Sequence, residues 1–180
     1  MKRALMIAAV ALAATLAPAP GSAALQQGTR APDFHTRGAI AGRVINFDLN
    51  RALRNGPVVL YFFPKAFTQG CTLEANAFAE AMDDFKAAGA TVVGLSADDL
   101  DTLREFSTKE CRDKFAVATA TPATIRAYDV TLTREGKDTG VTDRTSYVIA
   151  QDGRIVMAHS DLDWREHVSR SLAAVRALRR

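Results

Sequence analysis

The chain has 180 residues and carries 23 basic and 20 acidic side chains, which gives a formal charge of +3 at neutral pH. If an N-terminal segment containing Lys2 and Arg3 is removed, 23 minus 2 basic side chains leave 21, and the charge falls to +1. This balance excludes a strongly basic protein that binds nucleic acid or anionic membranes through its overall charge. We therefore expect neither partner for the mature chain.

The first 23 residues have the layout of a secretory signal peptide. Lys2 and Arg3 form a basic start, residues 4–17 are uncharged and apolar, and small residues follow at 21–24. The apolar run is too short to span a bilayer comfortably, so an uncleaved anchor is the less favoured alternative. We expect cleavage after Ala23 or Ala24, which predicts a periplasmic or secreted protein with one domain at residues 24–180.

The next part of the chain alternates strand and helix patterns. Residues 44–49 (VINFDL) predict a short strand, and residues 56–64 (GPVVLYFFP) predict a buried central strand because apolar β-branched and aromatic side chains dominate them. Residues 73–89 have helical spacing and end at a glycine. Residues 90–98 predict a second buried strand, and residues 99–115 a second amphipathic helix.

Shorter patterns complete the domain. Residues 116–120 predict a strand and residues 122–130 a helix that begins with proline. Residues 143–161 alternate on both sides of Asp152-Gly153, a dipeptide typical of tight hairpin turns, and residues 164–180 predict a closing helix. The order predicts one α/β domain with a mixed sheet, in which a βαβ unit comes first and a hairpin last.

Cys71, one of two cysteines, follows the predicted central strand and lies at the first turn of the next helix. Unpaired backbone N–H groups and the positive end of the helix dipole stabilise a thiolate there. An ordinary thiol is only about 3% ionised at pH 7, and reaching about 90% thiolate requires roughly 3.4 kcal/mol. An exposed helix dipole contributes no more than about 1 kcal/mol. We therefore expect a cationic side chain beside this cysteine.

Several motifs resemble one protein family. Residues 64–71, PKAFTQGC, fit the Pro-x-x-x-Thr-x-x-Cys signature of the peroxiredoxins, and residues 58–78 resemble the Q-type (bacterioferritin comigratory protein-like) branch. Residues 28–34, GTRAPDF, are similar to the opening motif of that family, and residues 143–155 to its late arginine, strand and hairpin. The resemblance covers essentially the whole mature chain. It implies a thioredoxin-like fold, a central mixed β-sheet flanked by helices, and the reduction of hydrogen peroxide and organic hydroperoxides.

The resemblance also implies roles for individual residues. Cys71 would be the peroxidatic cysteine, whose thiolate attacks the O–O bond and becomes a sulfenic acid. Thr68 would bind the peroxide, Pro64 would shield the thiolate from water, and Arg144 would be the expected cation. The backbone N–H groups of Gly70 and Cys71 would polarise the peroxide. Such a displacement needs no metal and no organic cofactor, and a thioredoxin-like or other dithiol reductant would recycle the enzyme.

The sequence departs from the Q-type pattern in two places. Gln69 stands where many members carry proline, and Asn76 stands at the fifth position after Cys71, where many carry a second cysteine. The other cysteine, Cys111, has a spacing similar to that of Q-type proteins whose resolving cysteine lies in the third-helix region. The resemblance thus implies an intramolecular Cys71–Cys111 disulfide and a monomer. The alternative is an inert Cys111, with no resolving cysteine.

Helical spacing predicts that Cys111 lies late in the helix of residues 99–115. It shares one row with Leu103, Ser107 and Phe115, at the edge of the apolar face. A disulfide requires Cα atoms within roughly 7 Å, so we expect the two thiols to meet only after local unwinding.

Two other functions stay open at this point. A secreted, non-catalytic domain could use a structural Cys71–Cys111 disulfide, which would contribute roughly 4 kcal/mol for a loop of this length. A thioredoxin-like thiol–disulfide oxidoreductase would require Cys-x-x-Cys, but Thr68 occupies its first position.

Single residues also have plainer interpretations. Pro64 could end a strand, Thr68 could cap a helix, Arg144 could lie on the surface, and Glu74 could simply suit a first helical turn. Three histidines show no metal-ligand spacing, and we expect them to be surface or structural residues: His35, His159 and His167. An acidic cluster is expected to start a helix: Asp98, Asp99 and Asp101.

Overall fold

The computed structural model describes residues 24–179. The predicted signal peptide, residues 1–23, and Arg180 lie outside the described residues. The strands and helices are, in chain order, β1 His35–Ile40, β2 Arg43–Asp48, α1 Leu49–Leu53, β3 Val58–Phe62, α2 Gln69–Glu80, α3 Met82–Ala87, β4 Thr91–Ser96, α4 Leu100–Lys109, β5 Ala116–Thr119, α5 Pro122–Ala127, β6 Thr131–Arg134, β7 Lys137–Thr142, β8 Thr145–Ile149, β9 Ile155–Ser160, a 3₁₀ turn at Trp164–Glu166, and α6 His167–Ala177.

The central sheet has seven strands in the order β2-β1-β5-β4-β3-β8-β9. Strands β3, β4 and β5 are parallel, whereas β1 pairs antiparallel with β5, and β8 pairs antiparallel with β3 and β9. This mixed sheet with helices on both faces confirms the predicted α/β architecture. Both the βαβ unit, β3 to β4, and the final hairpin, β8 to β9, are where the sequence predicts them.

Strand β3 is buried on both faces, as its continuous apolar pattern predicts. Val59 and Tyr61 join the core under α2, α3, α4 and α6. Val58, Leu60 and Phe62 join the opposite core, which α1 and α5 cover. The helix that follows β3 is therefore anchored to the centre of the domain.

Other elements differ from the predictions. The helix predicted over residues 73–89 is two helices that meet at Ala81, and it starts earlier, at Gln69. Strand β1 and the separate β6–β7 pair are additional. The helix predicted over residues 99–115 ends at Lys109, so the prediction that Cys111 lies late in it is wrong. The chain leaves the helix because Arg112 and Asp113 adopt left-handed φ angles of 51° and 58°.

No helix in residues 24–179 is both long and apolar enough to cross a membrane.

Candidate active site

Cys71 lies in the first turn of α2, where the sequence predicts it, and is 1% exposed. The N–H of Thr72 donates to the carbonyl of Thr68, which is the first hydrogen bond of the helix. The N–H groups of Gly70 and Cys71 come before it, among the groups that a helix leaves without an internal acceptor. The sulfur is therefore placed at the positive end of α2.

The loop between β3 and α2 is held from two directions. The carboxylate of Asp98 accepts from the N–H of Ala66 at 2.7 Å and from the hydroxyl of Ser96 at 2.8 Å. From the other side, the Thr142 hydroxyl donates to the carbonyl of Phe63 at 2.6 Å. Asp98 therefore fixes this loop, whereas the sequence predicted that it would help to start a helix. Asp99 does cap α4, accepting from the N–H of Thr102.

Pro64 and Thr68 lie at the two ends of the same loop. Pro64 is half-buried, and Thr68 is exposed at the N-cap position of α2. The Thr68 hydroxyl donates to the carbonyl of Lys65 at 2.9 Å and makes no capping bond. Its oxygen keeps acceptor capacity at the start of α2.

Arg144 reaches Cys71 from the residue before β8. Its Nη2 lies 3.5 Å from the Cys71 Sγ, its Nη1 pairs with a carboxylate oxygen of Glu74, and its Nε donates to the carbonyl of Leu162 at 2.9 Å. The side chain is almost fully buried, so the interpretation as a surface arginine is wrong. Gly70 permits this approach, because a Cβ there would lie only 3.1 Å from Nη2.

Glu74 is the site residue that the sequence argument missed. It lies one helical turn after Cys71 on the same face of α2 and is fully buried, whereas we expected an ordinary first-turn carboxylate. Burial raises the pKa of its carboxyl to about 8, although Arg144 acts in the opposite direction. The sequence did offer one indication: residues at i and i+3 lie on the same face of a helix, which places Glu74 beside Cys71.

His167, the first residue of α6, is fully buried behind Glu74. Its Nδ1 lies 3.7 Å from Oε1 of Glu74 and 2.8 Å from the Ser146 hydroxyl. Burial, with smaller contributions from His159 and Arg144, lowers the pKa of His167 to about 4. Of the expected surface or structural histidines, this one belongs to the interior.

Cys111 is fully buried in the same apolar core as Cys71, and both thiols are free. Burial, together with Glu110 and Asp113, raises the pKa of the Cys111 thiol well above its ordinary value. The Asn76 amide, at the position where many Q-type sequences carry cysteine, donates to Glu110 at 3.1 Å. This bond ties the segment of Cys111 to α2.

Three large apolar side chains remain exposed in segments that build the site. Phe67 precedes α2, Leu73 lies on its second turn, and Leu162 supplies the carbonyl that holds Arg144. Phe67 also packs edge-on against Phe106 at 5.2 Å. We refer to Phe67, Leu73 and Leu162 as the apolar rim.

Among the described residues, no group of three or more His, Cys, Asp or Glu side chains could hold a metal ion. The arrangement instead combines a buried sulfur nucleophile, a fixed guanidinium and free backbone N–H groups. Such a set can stabilise a thiolate and the negative charge that develops on an oxygen leaving group.

Comparison with known proteins gives a consistent result. Residues 27–158 match the AhpC/TSA family. The chloroplastic peroxiredoxin Q of Oryza sativa subsp. japonica is 37% identical over 113 residues, which cover 55% of this chain and 50% of that protein. The chain thus spans about half the length of this relative.

Two solved structures resemble the fold closely. The peroxidoxin BcpB of Mycobacterium tuberculosis aligns with a TM-score of 0.76 and 28% identity, over 87% of this chain and 99% of that one. The bacterioferritin comigratory protein of Xanthomonas campestris, studied for alkyl peroxide reduction, aligns with a TM-score of 0.69 and 28% identity, over 78% and 90% of the two chains. These similarities confirm the predicted thioredoxin-like fold.

Proposed function

Because this chain belongs to the AhpC/TSA family as a Q-type peroxiredoxin, we propose that it is a thiol-dependent peroxidase that reduces hydrogen peroxide and organic hydroperoxides at Cys71. The observation that carries the proposal is the contact between Arg144 Nη2 and Cys71 Sγ, 3.5 Å apart at the start of α2. A fixed cation at this distance favours the thiolate over the thiol.

The first step is a displacement at oxygen. The Cys71 thiolate attacks the terminal oxygen of R–O–O–H, forming the S–O bond as the O–O bond breaks. The products are the sulfenic acid Cys71–S–OH and the anion RO⁻, which takes a proton from water to become ROH. Arg144 and the backbone N–H groups of Gly70 and Cys71 stabilise the oxygen charge as it develops.

Thr68 and Pro64 set the surroundings of that reaction. The Thr68 hydroxyl oxygen can accept a hydrogen bond from the peroxide while the hydroxyl itself donates to the carbonyl of Lys65. Pro64, which is half-buried, would limit the access of water to the sulfur. Both assignments follow from the resemblance to the family signature.

The second step forms an intramolecular disulfide. The Cys111 sulfur attacks the Cys71 sulfenic acid, an S–S bond forms, and water leaves with the hydroxyl group and the thiol proton. Because Cys111 is fully buried and its thiol pKa is raised, its segment must open before it reacts. An external dithiol, such as a thioredoxin-like protein, then reduces the disulfide and is itself oxidised.

The apolar rim favours a hydroperoxide with an alkyl group, as the Xanthomonas campestris relative suggests. The resemblance to Q-type proteins favours a monomer. The signal-like N-terminus favours a location in the periplasm or outside the cell, where a dithiol donor of that compartment would act as reductant.

One experiment separates the candidate functions. Intact mass is measured after one equivalent of peroxide, with and without a thiol-trapping reagent. The proposal predicts that the trapped protein gains one oxygen on Cys71. Without the trap, the adduct should lose one water as the disulfide forms, which leaves the protein two hydrogens lighter than its reduced form. A purely structural Cys71–Cys111 disulfide predicts no transient oxygen adduct, and an inert Cys111 predicts an adduct that never becomes a disulfide.

A further inference from the structure

The buried ion pair beside Cys71 leaves one polar atom unexplained. Oε2 of Glu74 contacts Arg144, but Oε1 has no hydrogen-bond partner among residues 24–179. An ionised carboxylate oxygen that is buried without a donor is costly. Across the interface with α6, Nδ1 of His167 lies 3.7 Å from Oε1.

The hydrogen bonds of His167 define which ring nitrogen carries its proton. Nε2 lies 2.9 Å from the carbonyl oxygen of Asp161. A carbonyl oxygen can only accept, so Nε2 carries a hydrogen and the neutral ring presents a lone pair at Nδ1. The Ser146 hydroxyl donates to that lone pair, and it can rotate to accept if Nδ1 becomes protonated.

Two acceptors therefore face each other across the Glu74–His167 interface unless a proton lies there. It can reside on Oε1 of Glu74 or on Nδ1 of His167, where the Ser146 hydroxyl rotates to accept it. We propose that Glu74 and His167 share one buried proton, and that His167 is thereby a positioning residue that governs the thiolate of Cys71 through Glu74 and Arg144. This inference rests on the proposed function of Cys71.

The shared proton balances the charge of the site. With a neutral thiol, Arg144 is compensated by ionised Glu74. With the thiolate, Arg144 faces two anions unless the Glu74–His167 pair takes up a proton. Net charge in a buried site is unfavourable, so uptake of that proton and loss of the Cys71 proton favour each other. The raised pKa of Glu74 and the lowered pKa of His167, both due to burial, agree with one proton for the two groups.

Titratable and charged groups surround the pair on several elements. Arg144, before β8, acts on both members, while His159 on β9 and Asp161 after β9 act on His167. Tyr61 on β3 faces Glu74, Cys71 on α2 faces Arg144, and Glu166 and Arg170 act on His159. The His159 ring lies 4.6 Å from that of His167, and the pKa of His159 is lowered by burial and by Arg170. The second histidine is therefore expected to stay neutral at pH 7.

The test measures the rate at which iodoacetamide alkylates Cys71 between pH 4 and pH 9, in a reduced Cys111→Ser background. His167→Gln keeps a polar amide near the position of Nε2 but removes Nδ1, the atom that faces Glu74. Glu74 alone should therefore bind the proton less tightly than Glu74 and His167 together. We expect alkylation at pH 6–7 to slow at least about fivefold, the lower end of typical coupling between sites, with recovery at higher pH.

A double-mutant cycle separates this coupling from simple loosening of α6. In a Glu74→Gln background, residue 74 is always neutral, so His167→Gln should change the pH profile no further. Ser171→Ala, a buried polar change one turn along the same helix, is the matched control and should leave the profile of the parent unchanged. An equal effect of His167→Gln in both backgrounds, or no effect in either, would overturn the shared proton.

The two proposals fail in different ways. If the parent consumes no peroxide while its thiol still shows the coupled pH profile, only the peroxidase function fails. If the parent reduces peroxide but the cycle shows no coupling, only the role of His167 fails.

Discussion

The side-chain amide of Asn76 donates to the carboxylate of Glu110 over 3.1 Å, and so joins α2 to the segment that carries Cys111. A second, exposed link connects Arg112 to Glu80 at 3.3 Å. Both links cross the boundary that must open if Cys111 is to reach Cys71. They therefore oppose the second step of the proposed cycle.

Asn76→Ala should accelerate disulfide formation after the sulfenic acid has formed. A hydrogen bond to a charged group contributes roughly 1.5 kcal/mol, so its loss should make opening, and the rate it limits, about tenfold faster. Quenched-flow sampling followed by intact mass measures this rate. Arg112→Ala is the control, because an exposed ion pair contributes little and should change the rate by only a few-fold. Equal rates in the Asn76→Ala variant and the parent would show that this bond does not limit opening.

The two cysteines should have distinct phenotypes. Cys71→Ser should abolish peroxide consumption with a dithiol reductant, since no other thiol lies at the start of α2. Cys111→Ser should still react once with peroxide and then stop as the sulfenic acid. Peroxide consumption and mass report both results. Full turnover by Cys71→Ser would refute the assignment, whereas similar losses of stability in both variants, with no peroxide consumption by the parent, would favour a structural disulfide.

Arg144→Gln should slow the first oxidation of Cys71 about a hundredfold, because removing one donor from developing oxygen charge typically costs 10²–10³ in rate. Arg144→Lys should recover only part of that rate, since an ammonium group cannot contact Cys71 and Glu74 with the fixed geometry of the guanidinium. Single-turnover rates in the Cys111→Ser background measure both effects. The control is Arg104→Gln, which removes a half-exposed arginine. If Arg144→Gln slows the oxidation no more than Arg104→Gln does, Arg144 takes no part in the reaction.

Oxidation should open two segments locally. Amide hydrogen exchange should rise across residues 68–76 and 108–114, while α4 residues 100–106 serve as the internal reference. The reason is that both sulfurs are buried in the reduced protein, and a disulfide requires specific Cα and Cβ geometry. A disulfide that forms with unchanged exchange in both segments would show that the cysteines are adjacent from the start.

Local sequence pattern was enough to predict the elements that place Cys71. The apolar run of β3, the helix after it and the alternation around the final hairpin are each specified by nearby residues. Strand β1 was missed because its pattern is weak and its position depends on close packing: a Cβ on Gly38 would lie 2.4 Å from the carbonyl oxygen of Val117. The β6–β7 pair was missed because its residues are mostly exposed and polar.

The interior of the site could not be predicted in the same way. Glu74 and Arg144 are 70 residues apart, and charged side chains belong on the surface unless a partner is known. The position of Cys111 was mispredicted because Arg112 gives no signal of the left-handed backbone after α4 and Asp113 only a weak one. Such features arise from tertiary packing, which periodicity does not encode.

The free energy of unfolding should depend on pH through the two buried groups, Glu74 and His167. The folded-state pKa of Glu74 is raised from 4.5 to about 8, so this group alone makes the protein less stable as pH rises through that window. The folded-state pKa of His167 is lowered from 6.5 to about 4, so this group alone makes the protein less stable as pH falls from 6.5 towards 4. Between pH 4.5 and 6.5 the folded and unfolded pair each hold one proton, and their contributions cancel.

The parent should therefore show a flat contribution from this pair between about pH 4.5 and 6.5, and lose stability from about pH 6.5 to 8. His167→Gln leaves only the Glu74 effect, so its free energy of unfolding should fall from about pH 4.5 upwards, by at most about 1.4 kcal/mol per pH unit. Glu74→Gln leaves only the His167 effect, so its stability should rise from about pH 4 to 6.5 and then stay level. Urea unfolding of the reduced proteins at a series of pH values measures the three slopes. Parallel curves for the parent and both variants would contradict buried titration of this pair, because a linked pair must give slopes of opposite sign when either partner is removed.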